Sequence, residues 1–330
     1  DLFKRFEHTI PKGFLLHGPP GCGKTLLGKA TAYNLRQQIK AQTGVDHPEF
    51  FLHIKGPEIL NMWVGESERQ VRDLFAQCRE RARDGALAFL FIDEAESILG
   101  TRRAGRYNSI LSTLVPMFCT EMDGIEPLTN VVVILASNRA DLIDPAILRP
   151  GRIDRKIRVK RPDQPGAQAI YEIYLRDTLP LAEPKAALAK AITDEHFART
   201  PENQFLEVIY RSGRKDALYH GDLASGAIIA AVVERAKSLA IRRAIETKAD
   251  THLTRADLLT ALRREATGIA QLYSNAVKAD FGAAKRSQSQ SAPTFARANL
   301  EKATGDLIFF DGTINLFPSE NSGLRPLNLK

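Results

Sequence analysis

The sequence predicts an α/β core, a central parallel sheet flanked by helices, followed by a helical region with an inserted β-hairpin. Three observations predict it. Short apolar runs alternate with helix-period segments through the first half of the chain. A glycine-rich segment ending Gly23-Lys24-Thr25 stands directly after the first of these runs. Beyond Arg161 the pattern turns mainly helical.

The predicted strands are Phe14–His17, Phe51–Ile54, Leu87–Ile92, Val131–Ser137 and Lys156–Val159, rich in Phe, Leu, Ile and Val. Runs that are apolar throughout belong to a parallel sheet buried on both faces. Crossing helices are predicted over Lys24–Lys40 and Ser67–Arg83; in the second, Val71, Leu74, Phe75 and Cys78 recur at helical spacing. The Pro162-Asp163-Gln164-Pro165-Gly166 cluster reads as a turn and a hinge between subdomains.

Helices are then expected over Ala167–Arg176, Lys185–Ile192, Ser225–Thr247 and Thr254–Ala279. Residues Phe205–Tyr210 and Asp216–Tyr219, around Ser212-Gly213, read as the inserted hairpin, about 205–220. Lys285–Pro293 is a Ser/Gln-rich linker. After it, Leu307–Phe310 and Thr313–Phe317 flank Asp311-Gly312, a strong local signal for a second hairpin. The expected organisation is therefore 1–161, 162–280 and 281–330.

Composition narrows the class. With 44% hydrophobic and 26% charged residues, large buried cores are available, and no apolar run approaches the roughly 20 residues that span a bilayer. No membrane partner is expected. Cys22, Cys78 and Cys119 are scattered without metal-type spacing, which points to a reducing, cytoplasmic setting. The net charge of +7 raises a nucleic-acid reading. Basic residues interleaved with acids, as in Glu66–Arg83, argue against it, and no nucleic-acid partner is expected. The chain opens at Asp1 without methionine, so residues are expected upstream.

Gly18-Pro19-Pro20-Gly21-Cys22-Gly23-Lys24-Thr25 satisfies G-x-x-x-x-G-K-[ST] between a strand and a helix, the context that confirms a phosphate loop. Glycines let backbone N–H groups turn inward around phosphates, and the helix start adds its positive dipole end. These eight residues with Leu26 form the expected ATP-binding set, Lys24 neutralising β/γ-phosphate charge and Thr25 ligating Mg²⁺. Phe89-Leu90-Phe91-Ile92-Asp93-Glu94 is an apolar strand ending in two carboxylates, at the end where open parallel sheets bind ligands. Asp93 is expected to hold Mg²⁺ and Glu94 to polarise the attacking water.

Together these residues resemble the AAA family of ring-forming ATPases, from about Lys12 to Ile245. The resemblance implies that Asn138, ending the fourth strand, contacts the attacking water or γ-phosphate. It implies that Arg149 and Arg152, in Asp144–Arg152, reach the neighbouring subunit's nucleotide as arginine fingers. Asp123-Gly124 matches a position that relays nucleotide state between subunits. Ile170, Tyr174, Gly226 and Ala227 match adenine-contacting positions, with Tyr174 replacing a more usual histidine. Trp63-Val64-Gly65 occupies the place of an aromatic pore loop that grips polypeptide, and Arg102–Tyr107 that of a second pore loop.

Phe51–Glu58, Asn203–Tyr210, Ser225–Ala227 and Val233–Lys237 are similar to the actinobacterial proteasome-associated (ARC) branch. That branch carries N-terminal coiled-coil and OB-type domains and a Gln-Tyr-Leu-type tail; this chain ends Leu327-Asn328-Leu329-Lys330. The likeness implies an ATP-driven unfoldase or translocase in a hexameric homo-oligomer, acting on unfolded or tagged protein and feeding a 20S-type proteasome core. Protease-independent remodelling of protein complexes stays open beside it, and a nucleic-acid motor is the least favoured reading.

Overall fold

The computed structural model describes residues 11–60, 65–101, 108–124, 128, 130–210, 215–248, 251–266, 268, 312–316 and 327–329. The chain divides into two compact units. One comprises residues 1–18 and 23–159, the other residues 19–22 and 160–330.

The first unit is built on five parallel strands: β1 (Gly13–His17), β2 (Glu49–Lys55), β3 (Leu87–Asp93), β4 (Val131–Ser137) and β5 (Arg155–Arg158). Their spatial order is β2-β3-β4-β1-β5, every neighbouring pair parallel. The helices are α1 (Lys24–Thr43), the short α2 (Gly56–Ile59), α3 (Glu66–Arg83) and α4 (Asn108–Asp123).

Strand alternation sorts the core into two layers. Leu90 and Ile92 of β3 join Leu15, Val133 and Leu135 beneath Val71, Phe75 and Cys78 of α3 and Leu114, Phe118 and Met122 of α4. The intervening Phe89 and Phe91 face the other way, with Leu16, Ile134, Ala136 and Ala32 of α1. Each large apolar side chain buried in this way stabilises by about 1.5–3 kcal/mol relative to exposure. Because the strands run parallel, the loops after β1, β3 and β4 emerge together at one end of the sheet, and with α1 on one face and α3 and α4 on the other these loops part to opposite sides. This is the physical reason an open parallel sheet has a ligand crevice there. The edge strand β5 is exposed along its length and carries Arg155, Lys156 and Arg158, charges that discourage pairing with a foreign strand.

In the second unit, α5 (Gln164–Tyr174), α6 (Lys185–Phe197), α7 (Gly226–Thr247) and α8 (residues 255–266) enclose a separate core. Tyr171, Leu175, Leu188, Ile192, Ile229, Val233, Leu258 and Leu262 are buried there. The Pro162–Gly166 cluster, expected to lie between subdomains, follows closely on the division of the chain at 159/160 and also opens α5. Asp163 caps α5 by accepting the Gly166 N–H at 2.9 Å, and Pro165 sits in the first turn. Asp and Pro signal turns and helix N-termini alike.

The strands β6 (Gln204–Tyr210) and β7 (Lys215–Tyr219) pair antiparallel. Two further strands, β8 (Gly312–Leu316) and β9 (Leu327–Leu329), complete a sheet ordered β7-β6-β8-β9. β8 pairs antiparallel with β6 and with β9. The second expected hairpin, around Asp311-Gly312, falls mostly on residues that are not described, 307–311 among them.

Candidate functional site

The loop after β1 is shaped by backbone requirements that only glycine meets. Gly18 has φ 151°, and a Cβ there would stand 2.0 Å from the Val159 carbonyl oxygen. Gly23, at φ 83°, caps α1 without a side chain, and an added Cβ at this position would meet nothing within 4 Å. No acidic residue occupies the first turn of this 20-residue helix. The positive end of the helix dipole is thus not neutralised by a side-chain cap or an acidic residue of its own first turn, a condition that favours phosphate.

Lys24 is buried, its Nζ donating to the Gly18 carbonyl at 2.9 Å and to Asn138 Oδ1 at 2.7 Å. The ammonium is thereby held across the ends of β1 and β4. His17 sits just before the loop. Burial, then the charges of Arg158, Lys156 and Lys24, hold its imidazole below the ordinary histidine range. Positive potential is thus concentrated where the loop turns.

Thr25 Oγ1 donates to Asp93 Oδ2 at 2.7 Å. Asp93 Oδ1 accepts the Glu94 N–H at 3.0 Å. A hydroxyl and a carboxylate side by side are hard oxygen ligands of the kind Mg²⁺ shares with nucleotide phosphates. No group of three or more His, Cys, Asp or Glu able to hold a metal occurs among the described residues. The donor set therefore fits a cation that arrives with phosphate, rather than one caged by protein alone.

Glu94 is exposed and adopts φ 51°, an uncommon left-handed conformation for a residue with a side chain. Two residues on, Glu96 Oε1 accepts the Asn138 N–H at 3.3 Å, while its Oε2 is buried without a partner. The sequence reading passed over Glu96. Its signal is the spacing in Asp93-Glu94-Ala95-Glu96, which returns a second carboxylate toward the end of β4.

The two arginines differ. Arg149 is exposed. Arg152 is largely enclosed: Nε donates to Asp123 Oδ1 at 2.9 Å, and Nη1 to the Ala146 carbonyl at 2.6 Å and Cys119 Sγ at 2.9 Å. Hydrogen bonds from Arg152 hold the Asp123 carboxyl below its usual range.

In the second unit, Ile170 and Tyr174 are partly buried on α5 against the helical core. Ser225 caps α7, accepting the Ile228 N–H at 3.3 Å, and Gly226 and Ala227 form the first turn. Residues 19–22 cluster with this unit, and the Ala227 N–H donates to the Gly21 carbonyl at 3.1 Å. Of the expected pore loop, Trp63 and Val64 lie outside the described residues, as do 102–107. Gly65 caps α3 at φ 83°.

The parallel sheet, the phosphate loop and the Thr25–Asp93 pair define a P-loop nucleotide-binding core. The chain belongs to the AAA family: residues 14–161 match the ATPase family associated with various cellular activities, and residues 162–288 match the ARC AAA+ ATPase lid domain. It is 47% identical over 263 residues to a proteasome-associated ATPase of Actinosynnema mirum, covering 75% of this chain and 44% of the relative. The proteasome-associated ATPase of Nocardia farcinica is 48% identical over 262 residues, 75% of this chain and 45% of that protein. An AAA ATPase forming ring-shaped complexes from Corynebacterium kroppenstedtii is 45% identical over 279 residues, 80% and 48% of the two chains. The chain spans less than half the length of these relatives.

Proposed function

We propose that this chain binds ATP with Mg²⁺ and hydrolyses it as one subunit of a ring that pulls on polypeptide. The observation that carries the reading is the meeting of Lys24 with Asn138 and of Thr25 with Asp93, from three loops at one end of the sheet. Bound Mg²⁺ would supply charge neutralisation at the phosphates. Lys24 offers a cation to the β/γ-phosphates, the N-terminal N–H groups of α1 take the phosphate oxygens, and Asn138 orients the attacking water. Glu94 accepts that water's proton. Ile170, Tyr174, Gly226 and Ala227 are the proposed adenine contacts.

Arg149 is the proposed finger, because an exposed guanidinium can enter a neighbour's site. Arg152 holds the segment that presents it. Trp63, Val64 and Gly65 are proposed to grip unfolded or tagged protein. The names of the relatives support a ring, taken here as a hexamer, and a 20S-type proteasome core as partner. Three free cysteines suit a cytoplasmic setting.

The test is Glu94→Gln. It is expected to keep ATP affinity and to lower turnover by about 10²-fold or more; unchanged turnover removes Glu94 from the reaction. Remodelling without a protease uses the same residues, and co-purification with a proteasome core separates the two readings.

A further inference from the structure

His53, on β2, has been given no role so far, yet it faces the same carboxylate as Thr25. In the parallel pairing of β2 with β3, His53 stands opposite Phe91 and Lys55 opposite Asp93. Side chains of a strand alternate, so His53, Phe91 and Asp93 share one face of the sheet. The imidazole packs edge-on against Phe91, ring centroids 5.4 Å apart and planes at 71°. That contact aims Nε2 toward the end of β3, where it lies 4.0 Å from Asp93 Oδ2. This nitrogen is shielded from solvent and has no hydrogen-bond partner.

A buried polar atom left unpaired costs about 1–3 kcal/mol, so its persistence calls for a physical reason. A gap of 4.0 Å is longer than the roughly 2.7–3.2 Å of a hydrogen bond, and too short for a water to bond both groups well. A carboxylate shift of about 1 Å closes it. Asp93 Oδ2 already accepts from Thr25, and Oδ1 from the Glu94 backbone. An Nε2–H donor would then fix the carboxylate from the remaining side.

The geometry points to His53 as a positioning residue for Asp93, its Nε2–H bonding the carboxylate when ATP and Mg²⁺ are bound. This rests on the proposed Mg²⁺ role of Thr25 and Asp93. The imidazole touches neither nucleotide nor cation and acts only by orienting a ligand. Partners that orient metal-binding carboxylates and imidazoles typically change metal affinity about 10–100-fold when removed.

The test measures binding of a fluorescent ATP analogue to the full chain while MgCl₂ is titrated, with an EDTA arm for metal-free affinity. His53→Phe keeps a ring against Phe91 but has no donor; His53→Gln places an amide N–H near the position of Nε2. The expected result is a Mg²⁺ midpoint raised about 10-fold in His53→Phe, near wild type in His53→Gln, and equal EDTA-arm affinity in all three. A wild-type midpoint in His53→Phe overturns the inference, as does a His53→Gln midpoint shifted as far as that of His53→Phe. A parent protein whose affinity ignores Mg²⁺ overturns the Thr25–Asp93 reading beneath it, which is a separate outcome.

Discussion

Arg152 and Asp123 lock to one another within a single subunit, 29 residues apart in sequence, with Arg152 Nε 2.9 Å from Asp123 Oδ1. The same guanidinium is bonded by Cys119 and the Ala146 carbonyl, while Arg149 stays exposed. The two arginines of one short segment therefore differ in enclosure, which is why different roles are proposed for them. Arg149→Ala is expected to lower turnover of the assembled protein by about 10³-fold or more, with nucleotide affinity kept. Arg152→Ala should also lower the melting temperature. Equal melting temperatures for the two variants would contradict this division.

The Arg152–Asp123 pair also sets a pH dependence. Hydrogen bonds from Arg152 keep Asp123 ionised to lower pH than in the unfolded chain. Its contribution is fully present above the unfolded value of about 3.9 and is lost as pH falls through the lower folded value. Asp123 is half exposed, so the pair contributes only about 1 kcal/mol. Asp123→Asn should melt roughly 2–4 °C below the parent at pH 7, with the difference shrinking below about pH 4.

Gly18→Ala tests the loop's backbone. A Cβ at this position would lie 2.0 Å from the Val159 carbonyl, at a φ of 151° that side chains avoid. The strain is about 1–3 kcal/mol, and relieving it would displace the loop. Loss of ATP-analogue binding with a lower melting temperature is expected. Gly23→Ala has open space around it and should impair binding with less effect on melting.

His196 gives a second pH signature, in the helical unit. Its ring is buried against Tyr171, whose hydroxyl lies 3.1 Å from His196 Nδ1, and burial holds its pKa down to about 4. The unfolded chain takes up that proton near pH 6.5 and the folded chain only near 4, so stability falls as pH drops across this window. The steepest slope is about 1.4 kcal/mol per pH unit. Urea midpoints at pH 7 and pH 5 should differ less in His196→Gln than in the parent. A residual slope is expected from His220, which burial also holds below the ordinary range.

Gly18–Thr25 and Asp93-Glu94 were legible because each pattern is contiguous within a few residues, and the apolar runs of β3 and β4 are buried strands. The pairing of β8 with β6, about a hundred residues apart in sequence, has no local signal at all. Pro162–Gly166 carries turn and helix-start signals in the same residues, and only the structure shows that α5 begins there. Glu96 is marked only by its spacing after Asp93-Glu94, which gains meaning where β4 ends, and nothing local marks His53, one polar residue in a strand.

The sequence by itself determined the class of fold and the phosphate loop, since glycine conformations, helix starts and strand periodicity are local properties. Only the tertiary structure decided the strand order, the Lys24–Asn138 contact across 114 residues, and the capture of Arg152 by Asp123. These depend on which strands lie side by side and which loops emerge at the same end. That is settled by burying both faces of the sheet at once, a condition no short segment can express.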